Sequence, residues 1–142
     1  MSARTDRKPS LLVVAAVVLR HGRVLLTKRH EGTHLAGHWE FPGGKVEAGE
    51  TPVAALQREL REELGVTALV EEPFAFNHHV YPERSVLLLT YRTRLMGEPQ
   101  PLGCSALDWF APAQVRSLTM PPADAPILER LLALLEQTPA SA

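Results

Sequence analysis

An unbroken apolar run, Leu11 to Leu19, gives way to Arg20-His21-Gly22-Arg23 and resumes at Val24. Val-rich runs of this length bounded by a turn dipeptide predict buried strands, here Leu11 to Leu19 and Val24 to Lys28, with His21-Gly22 as the turn. Arg4, Arg7 and Lys8 precede the first run as they would in a secretory leader, but nine residues cannot span a bilayer and no small-residue cleavage site follows. From residue 51 the apolar spacing changes from runs to threes and fours. Val53, Leu56, Leu60 and Leu64 form one helical stripe, with Thr51 as hydroxyl cap, Pro52 at the first helical position and Gly65 as the left-handed stop. Ala68 to Phe76 has mixed strand character, interrupted by Glu71-Glu72-Pro73. Ser85 to Leu95 is a strand, Gly97 to Ser105 a Gly- and Pro-rich loop, Ala106 to Phe110 a short strand and Pro112 to Val115 one helical turn. Ala125 to Glu136 is an amphipathic helix that buries Ile127, Leu128, Leu131, Leu132 and Leu135, with Asp124 where an N-cap belongs. Strands, helix, strands, helix predict a mixed sheet between helices, an α/β fold.

The helix after Thr51 carries chemistry on a second face. Glu59, Glu62 and Glu63 stand at i, i+3 and i+4. Like charges at those spacings repel, so a cation should offset them. Arg58 offers one local answer, by pairing with Glu62 at i+4. A hard divalent ion with oxygen ligands offers the other, and Mg²⁺ in particular takes carboxylates together with substrate phosphates.

Composition narrows the setting. The chain of 142 residues is 45% hydrophobic and 22% charged, which suits one soluble domain, with a core about 11–136 and loose tails at 1–9 and 138–142. A formal charge of −1 and a pI near 6.6 give no electrostatic case for duplex nucleic acid or an anionic membrane. The lone Cys104 excludes an internal disulfide and suits a cytoplasmic location. Either a monomer or a homodimer is compatible with this sequence.

The glutamates do not stand alone. Gly44, five residues, Glu50, seven residues, then Arg58-Glu59-Leu60-x-Glu62-Glu63-x-Gly65-Val66 resembles the Nudix box at each defining position. With Trp39-Glu40-Phe41-Pro42-Gly43 upstream, the chain resembles the MutT-type branch of that family over roughly residues 11–135. The resemblance implies a Nudix α/β/α sandwich and Mg²⁺-dependent hydrolysis of a nucleoside triphosphate to monophosphate and pyrophosphate, with Mn²⁺ as the other usable ion. It implies Glu59, Glu62, Glu63 and the Gly43 carbonyl as metal ligands, with one glutamate or a water it orients as base. Arg58 and Glu50 would hold those carboxylates in place, and Gly43 and Gly44 would let backbone approach metal and phosphate. Arg29, His34, Glu40 and Phe41 match nucleotide-contacting positions, while His78 and His79 have no assigned role.

Two departures bear on substrate. Pro121-Pro122-Ala123-Asp124-Ala125-Pro126 resembles the segment that reads the base, but the branch that removes 8-oxoguanine nucleotides has Asn where Asp124 stands. An amide donates and accepts; an ionised carboxylate only accepts. Asp124 therefore either caps the last helix or reads a base, and the CTP pyrophosphohydrolase branch has Asp there. Second, relatives often carry a glutamate six residues before a tryptophan, and six before Trp109 is Gly103. Either the helix glutamates suffice or the loop recruits Glu98. The leading expectation is a pool-sanitising (8-oxo-)dGTPase. The alternatives are a CTP or modified-pyrimidine pyrophosphohydrolase, and a catalytically silent nucleotide-binding module.

Overall fold

A computed structural model describes residues 9–137; the expected loose tails lie outside it, apart from Pro9, whose carbonyl accepts from Ser85 N–H. The elements run β1 (Ser10–Val17), β2 (Leu19–Arg20), β3 (Arg23–Lys28), β4 (Trp39–Glu40), β5 (Gly43–Lys45), α1 (Pro52–Leu64), β6 (Thr67–Val80), β7 (Ser85–Met96), β8 (Ala106–Phe110), α2 (Pro112–Val115) and α3 (Ala125–Gln137). One sheet has the order β5-β1-β7-β6, with β1 and β7 parallel and the outer pairs antiparallel. The other centres on β3, which pairs antiparallel with β2, β4 and β8.

The period of two along β1 and β3 builds the layers. Val14, Ala16, Val18 and Leu25 face α1 and pack with Leu56, Leu60 and Leu64. Ala15, Val17, Val24 and Leu26 face the other way and pack with Ile127, Leu128, Leu131 and Leu132 of α3. The expected mixed sheet between helices is what forms, and strands buried on both faces explain why β1 reads as an unbroken apolar run rather than an alternation.

The punctuation of α1 is as the sequence predicts. Thr51 Oγ1 accepts from Ala54 N–H at 3.1 Å, and Gly65, at φ 70°, returns its N–H to the Arg61 carbonyl at 3.0 Å. The stripe needs one correction, because Val53 is 37% exposed while Ala55 is fully buried. Side chains tilt toward the helix N-terminus, so a first-turn residue hangs past the helix rather than lying over it. His21 and Gly22, at φ 54° and 74°, make the expected two-residue turn between β2 and β3. The expected break at Glu71-Glu72-Pro73 is instead a bulge: β6 continues through it to Val80, with register shifts on either side of Pro73. Pro is tolerated there because β6 is a sheet edge and a bulge leaves a ladder position unpaired. The short strands β4 and β5, too brief to show a period, frame the site.

Candidate active site

β5 carries the two glycines, and each is glycine for a different reason. A Cβ on Gly43 would lie 2.0 Å from the Val14 carbonyl oxygen, because β5 is pressed onto β1 with Ala15 opposite Gly43. A Cβ on Gly44 would lie 2.2 Å from Glu59 Oε2. The carboxylate of Glu59 therefore rests directly on the strand backbone, a closeness that only a residue without a side chain permits.

Arg58 organises the carboxylates. Its Nε and Nη2 donate to the two oxygens of Glu50 at 2.7 and 3.0 Å, and Nη2 also donates to the Lys45 carbonyl at 3.0 Å. Its Nη1 donates to Glu59 Oε1 at 2.8 Å and reaches Glu62 at 3.3 Å. Bidentate guanidinium–carboxylate geometry of this kind fixes orientation as well as charge. The bonds from Arg58, then the Glu47 N–H, hold the Glu50 carboxyl below its ordinary range. Bonds to Glu50 and then Glu59 push the Arg58 guanidinium above its own.

Glu63 faces elsewhere, into a cleft of about 180 Å³ that also meets Gly43, Glu40, Arg29, Gly103 and Cys104. Burial first, then the charge of Glu40, pushes its carboxyl up to about 8; the Thr27 hydroxyl and Arg29 offset this in part. Thr27 is fully buried, and no hydrogen bond of full geometry closes on its Oγ1. A buried carboxyl crowded by Glu40 and Glu59, with the Thr27 hydroxyl and Arg29 offsetting them in part, is a place where a hard cation would relieve a deficit.

The donor chemistry of Glu59, Glu62, Glu63 and the glycine backbone thus fits a divalent ion. The carboxylates themselves do not converge: among the described residues, no three His, Cys, Asp or Glu side chains stand close enough to cage a metal. Glu59 and the largely exposed Glu62 turn to Arg58, while Glu63 turns away to the Thr27 and Arg29 side, as like charges separate on a helix face.

A second cleft, about 230 Å³, opens on the other side of Gly43 and Gly44 and runs to the β6–β7 turn. Arg29, His34, Glu40, Phe41 and Asp124 all line it, so the structure gathers the sequence-predicted nucleotide positions in one place. Their states differ from a row of free contacts. Arg29 Nη1 is shared between both oxygens of Glu40 at 3.0 and 3.1 Å, and its Nε donates to the His34 carbonyl at 2.6 Å. Burial still raises the Glu40 carboxyl. Phe41 is a core residue at the cleft floor, and Trp39 packs edge-on against Phe110.

Asp124 resolves one of the alternatives. Its backbone carbonyl accepts from Leu128 N–H, but its carboxyl accepts from Phe41 N–H at 3.2 Å across the cleft, and among the described residues no α3 N–H donates to it. The side chain is not a helix cap. At 7% exposure, burial and then the charge of Glu40 push its carboxyl up to about 8.

Glu98 lies off the site, paired with Arg20 at 2.9 Å, whose guanidinium also stacks 4.9 Å above the Trp109 ring. Gly103 has a structural role instead. Its N–H and that of Leu102 both donate to the Glu63 carbonyl at 3.0 Å, and a Cβ on Gly103 would lie 3.1 Å from Glu63 Cα. The loop thereby docks onto the last turn of α1. Thr27, Tyr81 and Arg84 stand in no motif of the sequence; the last two line the larger cleft, and the one signal for them is their place at the hairpin Tyr81-Pro82-Glu83-Arg84.

Comparison with known proteins bears on the fold and the family. The chain is 40% identical over 129 residues to a CTP pyrophosphohydrolase of Escherichia coli, covering 90% of this chain and 96% of that one. It is 38% identical over 130 residues to an 8-oxo-dGTP diphosphatase of Haemophilus influenzae, covering 89% and 94%. The fold matches a MutT Nudix hydrolase from Burkholderia pseudomallei with a TM-score of 0.80 at 28% identity, over 87% of this chain and 99% of that one. Residues 9–131 match the NUDIX domain. With its glutamate helix laid on a glycine strand between two clefts, this chain belongs to the Nudix hydrolase family, in its MutT-like branch.

Proposed function

We propose that the chain is a Mg²⁺-dependent nucleoside triphosphate diphosphatase that releases pyrophosphate and leaves the monophosphate. One observation carries the reading: Glu59 rests on Gly44 and Glu63 faces Gly43, while the larger cleft, starting at the same glycines, ends at buried Asp124. Glu59, Glu62, Glu63 and the Gly43 carbonyl would hold Mg²⁺, or the similarly hard Mn²⁺. When bound, such an ion neutralises phosphate charge and activates water. Arg58 and Glu50 keep the Glu59 carboxylate aimed, and one of the helix glutamates accepts the proton from the attacking water. The Gly43-Gly44 backbone gives phosphate oxygens a close approach, and Arg29, His34, Glu40, Phe41 and Asp124 receive the nucleoside.

Asp124 makes an oxidised guanine compatible with this pocket. A buried carboxyl with its pKa near 8 keeps its proton at neutral pH, so it both donates and accepts, as an amide does. The Asn-to-Asp difference thus loses its force as an argument against 8-oxo-dGTP. The second reading, a CTP or modified-pyrimidine pyrophosphohydrolase, is favoured by the 40% relative and by Asp124 accepting from a cytosine amino group. An enzyme of nucleotide pools fits a cytoplasmic location, and among the described residues no helix is long and apolar enough to cross a membrane.

Pyrophosphate release with Mg²⁺ over dGTP, 8-oxo-dGTP, dCTP, CTP and 5-methyl-dCTP, with ADP-ribose as outgroup, sorts these readings. Glu62→Gln and Glu63→Gln should each bring turnover to background. Turnover surviving both would remove the site assignment, and silence of the wild type on every triphosphate would favour a binding module.

A further inference from the structure

Pro121, Ala123 and Asp124 line one wall of the larger cleft, and two polar side chains, one from β6 and one from the residue after it, hold that wall. Asn77 Nδ2 donates to the Ala123 carbonyl at 3.0 Å. Ala123 N–H donates to the Tyr81 hydroxyl oxygen at 3.2 Å. Side chains from one strand and its first following residue therefore satisfy both backbone polar groups of a single residue. Ala123 is 4% and Tyr81 9% exposed, so water is poorly placed to replace a lost partner. The next residue is Asp124, whose carboxyl is held from the cleft floor by Phe41 N–H. Tyr81 is in turn braced edge-on by His79, with ring centroids 4.5 Å apart, and by His34 at 5.6 Å. His34 belongs to the wall following Arg29, so a single tyrosine ring ties both walls of the cleft together.

We propose that Asn77 and Tyr81 are positioning residues for base selection. They fix the Ala123 peptide, hence the place of the Asp124 carboxyl, and act through it on which nucleobase is accepted. Both sit apart from the Gly43-Gly44 strand and the glutamate helix, so binding and discrimination should respond to them while the chemical step does not. The assignment rests on the nucleotide-hydrolase reading above.

Tyr81→Phe is the sharpest perturbation, because it keeps the ring and its edge contacts and removes only the acceptor. Steady-state kinetics with Mg²⁺ on 8-oxo-dGTP, dGTP and dCTP compare wild type, Tyr81→Phe, Asp124→Asn and the double variant. Loss of one buried hydrogen bond should raise KM for the preferred nucleotide about tenfold. kcat should stay within about twofold, and the kcat/KM ratio between best and worst base should narrow by the same factor as KM rises. In the Asp124→Asn background, Tyr81→Phe should alter that ratio less than about twofold, since the residue it positions is already changed. Equal losses on every nucleotide, a fall in kcat instead of a rise in KM, or effects that multiply in the double variant would each overturn the proposal. If Tyr81→Phe does not fold, Asn77→Ala carries the same test. If the wild type turns over no triphosphate, the hydrolase reading has failed separately. Discrimination is then read from the Kd values of the same three nucleotides, and a ratio left unchanged by Tyr81→Phe overturns the proposal there too.

Discussion

Replacing Gly44 by alanine puts a Cβ 2.2 Å from Glu59 Oε2 and 2.3 Å from its Cδ. Ordinary contact begins near 3.4 Å, so the carboxylate must retreat by about 1.2 Å, the difference of 3.4 and 2.2. The obstacle is the end of a flexible side chain, so the fold can yield. What it gives up is the 2.8 Å bond between Glu59 and Arg58, in a pair roughly one-fifth exposed at each partner. Arg58 keeps both bonds to Glu50, so the stability loss should be about 1 kcal/mol or less. Catalysis should suffer more: a misplacement of about 1 Å costs on the order of 100-fold, close to 2.7 kcal/mol in the barrier. Gly43→Ala reverses the balance. Its Cβ would meet main-chain atoms of β1, the Val14 oxygen at 2.0 Å and Ala15 Cα at 2.7 Å, which cannot swing away. Overpacking against a sheet backbone should cost about 3 kcal/mol or more and lower Tm by roughly 10 °C. Thermal melts in EDTA and pyrophosphate release in Mg²⁺, run on both variants, separate the effects. If Gly44→Ala melts as early as Gly43→Ala, or keeps more than a tenth of wild-type turnover, the placement of Glu59 against the strand is not what catalysis requires.

Arg58→Lys keeps the charge but loses the fork on Glu50 and the branch to Glu59, and turnover should fall about 10- to 100-fold with Tm little changed. Asp124→Asn addresses pH. The folded carboxyl is raised to about 8 from an ordinary 3.8, so stability is fully present below the ordinary value and is lost as pH rises toward the folded one. Between pH 5 and 8 that loss is on the order of 3 kcal/mol, and urea melts of the metal-free variant should be flatter over that interval than those of wild type. An unchanged pH profile would mean that the carboxyl is not buried in this way. Mg²⁺ at 100 times its Kd should stabilise the wild type by about 2.7 kcal/mol, and Glu63→Gln should remove most of that gain in a thermal-shift titration.

The parts of this molecule that follow from local rules could be read from its sequence. The caps of α1, the His21-Gly22 turn and the buried runs of β1 and β3 each depend on a few neighbouring residues and came out as expected, although the run Leu11 to Leu19 divides between β1 and β2, which join different sheets. What depended on remote partners did not. β4 and β5 span two and three residues and exist because β3 and β1 lie beside them. Glu71-Glu72-Pro73 looked like a break because an edge that tolerates a bulge is a property of the sheet order. The side chain of Asp124 reads as a helix cap by local rules, and only the Phe41 N–H, 83 positions away in the chain, removes that reading. The three glutamates were legible as a face of a helix, and so was Arg58 pairing with Glu62, but Arg58 also holding Glu59 while Glu63 turns away was not.

The parallel pairing of β1 with β7 has a consequence for how the protein comes into being. Ser10 lies opposite Ser85, a separation of 75 residues taken as 85 minus 10, and the whole glutamate helix and its glycine strand fall within that span. Closing so long a loop is entropically costly and slow compared with forming a helix or a hairpin. A chain emerging from the ribosome therefore displays its complete motif well before β6 and β7 complete the sheet and the larger cleft. The segment that defines the family is made early, and the larger cleft beside it is completed late, when the second half of the sheet arrives.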